Sequence, residues 1–280
     1  MTVTSILEAA DRILRADGYE AASTNRVARV AGFSVGSLYQ YFRDKQAIVG
    51  ALLDRELGAE AALVVAQLDQ CATQNLKGLG GACVKLMIER RVARAHLYRT
   101  LDQHAAELGV VSVLHQLVAA QAPTLSDSLQ RVAAQTLPRS PRSLDARLFV
   151  LARLASGASF AFAVDAPPAL AADVLGAEFA AAAERYLVGP PPGPAAARLA
   201  LGWAKPNGSA ITNAEQRARR RREARGMLVA SGAEAAVLEA RAFLLASLAD
   251  VGAATQRPPF GLSQEDLLHE VARFADALIS

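Results

Sequence analysis

Apolar residues recur at the spacing of an amphipathic helix along most of the chain. The first such segment follows Ser5-x-x-Glu8, a pattern typical of a helix capping box, and stops at Gly18, a residue that favours a helix end. The apolar positions of its face are Ile6, Ala10, Ile13 and Leu14. The pattern predicts a first helix that is capped by Ser5 and ends at Gly18.

The next segment predicts two very short helices joined by a glycine turn. Ser23 or Thr24 can cap the first helix, and Gly32 can take the left-handed conformation of the turn. Ser34 can cap the second helix, which we expect to cover residues 35–41. Two short helices in this order form a helix-turn-helix.

Helices are also predicted for most of the remaining chain. Asp44 can cap a long fourth helix, and five amphipathic segments follow at about 79–94, 95–108, 111–135, 143–165 and 168–187. Residues 189–194, Gly-Pro-Pro-Pro-Gly-Pro, cannot be helical and predict a stiff linker. Beyond it we expect a very basic helix from Asn213, an apolar helix over about 233–251 and a last helix from Ser263-x-x-Asp266.

The composition agrees with an all-α fold. Hydrophobic residues make up 52% of the 280 residues and aromatic residues only 5%. Ala and Leu account for most of this excess, whereas β-sandwiches draw on β-branched and aromatic residues. The chain is also long enough for a small domain and a larger one, or for one large helical body with an appendage.

Positive charge is concentrated near the C-terminus. The net charge is only +3, but residues 198–225 hold eight basic and two acidic residues. The basic run from Arg217 to Arg225 is compatible with a second DNA contact, with a solvated helix face, or with docking of an acidic partner. Any DNA affinity of the N-terminal part must come from local placement of donors, because the rest of the chain is slightly acidic.

Three features predict a cytoplasmic protein that has no membrane partner. Cys71 and Cys83 are too few for a disulfide framework, which suits a reducing compartment. The first residues lack the pattern of a signal peptide. The most apolar run, residues 148–164, contains Arg153 and is shorter than the roughly 20 residues that span a bilayer.

The segment from Ser23 to Lys45 carries the clearest chemistry. Apolar residues can hold its two short helices together, so that hydroxyl and amide side chains are left to face a groove. Gly36 removes a side chain where the second helix would approach a duplex, and Lys45 adds charge at the start of the fourth helix. Hydroxyls, amides and helix N-termini are groups that bind phosphate oxygens. The donors left to the groove are Ser34, Ser37, Tyr39, Gln40 and Tyr41.

These residues closely resemble the DNA-binding domain of the tetracycline-repressor (TetR/AcrR) family of bacterial regulators. The resemblance covers Ile6 to about Leu53, including Thr24-Asn-Arg-Val-Ala and Ala31-Gly-Phe-Ser-Val-Gly-Ser-Leu-Tyr-Gln-Tyr-Phe. It implies that residues 35–41 form a recognition helix. One departure is that no basic residue precedes the first helix, which lowers the expected affinity.

The resemblance also implies a role for each residue of this segment. Phosphate contacts are implied for Thr24, Tyr39, Tyr41 and Lys45, and positions near base edges for Arg26, Ser37 and Gln40. The alternative interpretation is that the two tyrosines pack inside the small domain and that Gln40 is a solvated helix residue. Phe42 is expected in the core.

For the rest of the chain the resemblance implies a helical body with an effector cavity and a two-helix dimer face. Residues 148–164, which are rich in small side chains, and residues 170–187 are the candidate face. The alternative is an ordinary buried pair of helices. The pocket residues and the effector cannot be assigned from the sequence.

No sequence pattern supports a catalytic or a metal site. His96, His104 and His115 lie in one region with Asp102 and Glu107, but no pair has the i, i+4 spacing of a zinc-binding helix. P-loop and dinucleotide-binding motifs are absent. We therefore expect no catalytic residue, metal or cofactor, and rank an enzyme last.

The sequence thus predicts four regions and a regulator of transcription. We expect a DNA-binding domain over residues 1–48, an effector-binding and dimerisation domain over 49–188, a linker over 189–211 and a helical extension of unassigned role over 212–280. The predicted function is a homodimeric repressor that leaves a palindromic operator on double-stranded DNA when a small-molecule effector binds. The alternative is a DNA-bound adaptor that a protein partner controls through the extension.

Overall fold

The computed structural model describes residues 3–72, 79–104, 107–108, 141–188, 214–229, 232–253 and 264–279. The elements in these ranges are α-helices, which confirms the predicted all-α class. In chain order they are α1 Val3–Asp17, α2 Thr24–Ala31, α3 Val35–Tyr39, α4 Lys45–Ala72, α5 Leu79–Ala93, α6 Ala95–His104, α7 Pro141–Asp165, α8 Ala172–Val188, α9 Ala214–Leu228, α10 Ala235–Ala253 and α11 Gln264–Ile279. The helix predicted over 111–135 and the linker over 189–211 lie outside the described residues.

Local hydrogen bonds set most of the N-terminal helix boundaries as predicted. Gly18 and Gly32 both have a φ of +79° and end α1 and α2. Ser23 caps α2 by accepting a hydrogen bond from the Arg26 amide at 3.4 Å. Asp44 caps α4 by accepting one from the Ala47 amide, with the nitrogen 2.7 Å from Oδ1.

Two of the predicted boundaries of the N-terminal helices are wrong. Ser5 is not the cap of α1, because the helix already includes Val3 and Ser5 lies in its first turn. The third helix stops at Tyr39, because the Gln40 amide bonds back to the Leu38 carbonyl in a tight turn. Gln40 and Tyr41 therefore follow α3 and do not form part of it.

The described chain divides into two compact units. The first comprises residues 1–63 and 93–123, and the second comprises residues 64–92 and 124–280. The boundaries of the four predicted regions stay predictions. The core of the first unit is made by fully buried side chains from α1, α2, α3, α4 and α6: Ile6, Val27, Leu38, Leu52 and Leu97.

Helix α7 lies at the centre of the second unit. None of its described side chains from Arg147 to Asp165 is exposed. Helices α10 and α11 both pack against α7 and α8, and their apolar residues share one core. Large members of this core are Leu154, Leu175, Phe179, Phe243 and Phe274.

This packing explains the small residues of α7. They allow other helices of the same chain to approach closely, which favours the buried-helix interpretation of residues 148–164 over the dimer face. Helix α7 is apolar and long enough from Arg147 to Asp165 to cross a membrane by composition alone. Its central position in this core accounts for that composition.

Polar contacts tie α8 to the C-terminal helices. The Tyr186 hydroxyl donates to Glu270 Oε2 at 2.9 Å, and Arg241 Nε donates to Glu178 Oε2 at 2.8 Å. Burial, together with the neighbouring Glu270 carboxylate, raises the pKa of Tyr186 well above its usual value, so the hydroxyl stays a donor. The C-terminal helices are thus part of the core of the second unit.

Two of the six arginines in the predicted basic run anchor helix α9. Arg217 Nε donates to Asp165 Oδ2 at 3.1 Å, and Arg221 Nη1 donates to the Asp165 carbonyl, also at 3.1 Å. Asp165 is the last residue of α7, so both guanidinium groups also meet the negative end of that helix. Arg219 and Arg222 are exposed. Arg217 and Arg221 are therefore structural.

Helices α5 and α8 approach each other at a pair of glycines. A Cβ atom on Gly81 would lie 2.8 Å from the Gly176 carbonyl oxygen and 3.0 Å from the Ala180 Cβ. A side chain at Gly81 is therefore excluded by the neighbouring backbone.

Candidate nucleic-acid interface

Helix α3 is a short helix that is fixed at both faces. Ser34 Oγ accepts a hydrogen bond from the Ser37 amide at 3.1 Å and lies 2.8 Å from Ser37 Oγ. Leu38, on the opposite face, is completely buried and holds α3 against the core. The cap and this single anchor set the orientation of the outer face.

The outer face carries the predicted reading residues. Ser34, Gly36 and Gln40 are exposed, and Ser37 is half-buried. A Cβ atom on Gly36 would meet only Ser34 Oγ, at 4.0 Å, so the protein's own packing does not require glycine there. The space above Gly36 is open to a ligand.

Tyr39 and Tyr41 lie on the surface. Their exposed fractions are 52% and 46%, whereas the neighbouring Phe42 is buried. The alternative interpretation, in which the tyrosines pack inside the small domain, does not match these exposures. Both hydroxyls are thus accessible to a partner, and phosphate contact itself stays a prediction.

Thr24 and Tyr39 are brought together although they lie on different helices. Thr24 Oγ1 and the Tyr39 hydroxyl are 3.2 Å apart. Thr24 is the first residue of α2, and Tyr39 is the last residue of α3. Two neutral donors at this distance can both reach one phosphate group.

Arg26 and Lys45 are held by acidic partners. Arg26 pairs with Asp17, and Lys45 Nζ lies 3.3 Å from Glu20 Oε2. The Lys45 ammonium also sits 3.7 Å from the centre of the Tyr19 ring. These contacts neutralise the two predicted basic residues, so a DNA contact by either requires its pair to open.

Two exposed basic residues of the same region were not singled out from the sequence. Arg29 lies in the last turn of α2, and Arg43 precedes α4 with its Nε 2.9 Å from Asp44 Oδ2. The Arg43 side chain is 87% exposed. A count of basic residues between Ser23 and Lys45 would have found both.

An ion cluster joins α1 to α4 and α6 in the first unit. Asp11 lies 2.8 Å from Arg94 Nη1 and 2.7 Å from His96 Nε2, and Arg94 Nη2 lies 3.3 Å from Glu56 Oε1. Burial alone would raise the pKa of Asp11, but the His96 hydrogen bond and the charge of Arg94 lower it overall. The cluster links the helix that supports the helix-turn-helix to α6.

The predicted histidine region is split by the structure. His96 belongs to the Asp11 cluster, His104 lies beside Glu107, and His115 is outside the described residues. In the described ranges, Glu20, His104 and Glu107 bring three potential metal-ligand atoms within 4.8 Å of one another. Glu20 was missed from the sequence because it lies far from His104 along the chain.

Comparison with known proteins identifies the N-terminal region. The family profile described as "Bacterial regulatory proteins, tetR family" matches residues 6–52. No curated protein sequence matches the chain.

Solved structures of regulators are remotely similar. A fatty acid degradation regulator, FadR, from Bacillus halodurans is 14% identical, with a TM-score of 0.46 over 64% of this chain and 92% of its own. A TetR-family transcriptional regulator from Mesorhizobium loti is 16% identical, with a TM-score of 0.47 over 64% of this chain and 89% of its own.

The matched residues 6–52 contain α1, α2, α3 and the start of α4, which is the region that carries the exposed face of α3. The family assignment rests on this match and on the helix-turn-helix geometry. Residues 6–52 thus form a DNA-binding region of the tetR family of bacterial regulatory proteins.

Proposed function

We propose that this regulator is a cytoplasmic repressor that binds a palindromic operator as a homodimer and is released by a small-molecule effector. The observation that carries the DNA-binding part is the outer face of α3. Together with the turn that follows α3, this face presents exposed hydroxyl and amide groups, while Leu38 fixes the helix from behind. This proposal involves no catalysis and no cofactor.

In this proposal α3 enters the major groove. Gly36 lets the helix backbone approach the bases, and Ser37 and Gln40 face base edges. Thr24 and Tyr39 share one phosphate, and Tyr41 contacts another. Fixing these donors before binding lowers the ordering cost at the interface.

Arg26 and Lys45 have a conditional role. Each is paired with a carboxylate in the free protein, so contact with DNA exchanges one ionic partner for another. Because one ionic partner replaces another, the net gain in binding free energy from these two residues is small. Neutral donors therefore supply most of the DNA affinity of one helix-turn-helix domain, and the salt dependence of binding is shallow for a DNA-binding protein.

A homodimer accounts for operator recognition by so short a helix. Two copies of α3 placed about 34–36 Å apart read successive turns on one side of the duplex. The α7 face is covered by α10 and α11 of the same chain. We therefore propose that the two copies meet through surface that these helices leave uncovered, such as the exposed stripe of α8 that contains Asp173, Ala177 and Glu184.

Release by an effector requires different affinities for two conformations. A ligand changes the operator affinity only as far as it binds the two conformations unequally. The ion cluster of Asp11, Arg94 and Glu56 is the contact through which a movement of α6 would reach α1.

Fluorescence anisotropy on the promoter region of the protein's own gene tests the DNA-binding part. The full chain is titrated into this duplex and into a scrambled duplex at two salt concentrations, with Tyr41→Ala as the comparison variant. We expect specific binding that Tyr41→Ala weakens. Equal binding of both duplexes would overturn the proposal.

A protein partner is the second candidate regulator, and the exposed face of α9 favours it. Arg219 and Arg222 lie near Met227, which is 44% exposed, and Val229, which is 62% exposed. A basic and apolar surface suits an acidic partner. Because α10 and α11 belong to the core, this candidate is tested by Arg219→Glu and Arg222→Glu and not by deletion of the extension. Loss of regulation in cells with normal operator binding in vitro would favour the adaptor.

A further inference from the structure

Three potential metal ligands converge beside the DNA-binding region. Glu20 follows α1, His104 ends α6, and Glu107 lies one turn further. His104 Nδ1 is 3.4 Å from Glu107 Oε1, and the ligand atoms of all three residues lie within 4.8 Å of one another. Ligand atoms around a four-coordinate zinc ion stand about 3.4 Å apart, given bonds of about 2.0–2.1 Å. His104 and Glu107 already have this separation.

Tyr19, a buried tyrosine whose hydroxyl lacks a hydrogen-bond partner among the described residues, packs against the same cluster. Tyr19 is only 5% exposed, and no described residue forms a hydrogen bond with its hydroxyl. Its ring stacks on the His104 ring with the centroids 4.1 Å apart. A buried hydroxyl that lacks a hydrogen-bond partner among the described residues can take a further ligand here.

We propose that Glu20, His104 and Glu107 bind one divalent transition-metal ion, with the Tyr19 hydroxyl beside it. One imidazole and two carboxylates form a ligand set that zinc accepts, with a fourth position left for water. The stack on Tyr19 holds the plane of the His104 ring, and Nδ1 at its edge faces the Glu107 carboxylate. Glu20 is largely exposed, so a rotation of its side chain closes the site.

The Lys45 side chain competes with the metal ion for the Glu20 carboxylate. Its ammonium group is 3.3 Å from Glu20 Oε2 and supplies the positive charge there in the metal-free protein. A metal ion on Glu20 removes that partner and repels the ammonium group. Lys45 is then available to a phosphate, a consequence that rests on the proposed DNA-binding function. Metal occupancy would thus strengthen operator binding.

Isothermal titration of the full chain with zinc chloride in a non-chelating buffer tests the site. We expect one zinc ion per chain, bound far more tightly than magnesium, which prefers six oxygen ligands.

Two variants locate the ion, each with a matched control. His104→Phe keeps the stack on Tyr19 but removes the ligand nitrogen, and Glu20→Gln removes a ligand charge. Each should lower zinc affinity about tenfold or more, since even partners behind a ligand cost about 10–100-fold. The exposed residues His269 and Glu8 supply the controls His269→Phe and Glu8→Gln, which should bind zinc normally. Absence of zinc binding, or equal affinity in His104→Phe and the wild type, would overturn the site.

The consequence for Lys45 is read separately by anisotropy. Zinc should tighten operator binding in the wild type and steepen its salt dependence, because each helix-turn-helix domain gains one charged phosphate contact. The effect should vanish in His104→Phe. Unchanged DNA affinity at full zinc occupancy would overturn the release of Lys45 but not the metal site. If the protein binds no operator at all, the proposed function fails, and calorimetry still decides the site.

Discussion

Replacing Tyr39 or Tyr41 by phenylalanine removes one hydroxyl group from the outer face of the small domain. Both rings are about half exposed, and neither is part of the core. Among the described residues, the Tyr39 hydroxyl forms a hydrogen bond with Thr24 alone, at the surface and at 3.2 Å. We therefore expect each variant to change the free energy of unfolding by no more than about 0.5 kcal/mol.

The effect on DNA binding should be much larger. A hydrogen bond from a hydroxyl to a charged phosphate contributes about 1.5–3 kcal/mol, and about 1.4 kcal/mol corresponds to a factor of ten in affinity. Each substitution should weaken the DNA affinity of one helix-turn-helix domain about tenfold or more. A dimer has two such domains, so the loss of binding free energy is doubled. Since a tyrosine hydroxyl is neutral, the slope of affinity against salt concentration should not change.

The assay is anisotropy of a labelled operator duplex at four salt concentrations, together with thermal unfolding of each variant. Arg222→Gln is the control, because it removes an exposed charge from α9, remote in sequence from α3. It should alter neither the affinity nor the slope. The assignment of the tyrosines to phosphates would be refuted if Tyr39→Phe and Tyr41→Phe bound DNA as tightly as the wild type at every salt concentration.

Two further predictions concern stability. Gly81→Ala should destabilise the second unit by about 1–3 kcal/mol, because its Cβ would lie 2.8 Å from the Gly176 carbonyl oxygen. A Cβ atom on Gly157, which lies in a helix, would have no neighbouring atom within 4 Å, so Gly157→Ala should instead stabilise this unit by about 0.5–1 kcal/mol. Urea unfolding of both variants measures the sign of each change in the free energy of unfolding. The second prediction concerns pH, because the pKa of Asp11 is lowered in the folded state. The contribution of Asp11 to the free energy of unfolding is therefore present above the pKa that it has in the unfolded chain, and it is lost as the pH falls through the lowered value. Wild type and Asp11→Asn should therefore melt at clearly different temperatures near neutral pH and converge toward pH 3, and a constant difference in melting temperature would contradict the assignment.

Features that depend on neighbouring residues could be predicted from the sequence. The caps at Ser34 and Asp44 and the turn at Gly32 follow from side chains and backbone within three residues. The Ser5 cap was wrong because the same four-residue pattern also occurs inside a helix, and Val3 and Thr4 allowed α1 to continue upstream.

Features that depend on distant residues could not be predicted. Lys45 and Glu20 are 25 residues apart, and no local pattern indicates that they form an ion pair. The pair of Arg217 and Asp165 spans 52 residues, so the basic run gave no sign that part of it is structural. In each case the fold decides which charges remain available to DNA.

The small residues of α7 illustrate a further limit. Residues such as Ala155 and Ala158 predict that another helix approaches closely, but they do not say which one. A partner from a second copy and a partner from the same chain leave the same pattern. In the structure, α10 and α11 of the same chain take that place.

Hydroxyl-radical footprinting of the full chain on its operator tests the central claim most directly. The account predicts two protected segments on one side of the duplex, with centres about 10–10.5 base pairs apart or a multiple of it. It also predicts that Gln40→Ala weakens protection at both segments alike. Uniform protection along the duplex, or identical protection of a scrambled duplex, would contradict sequence reading by α3.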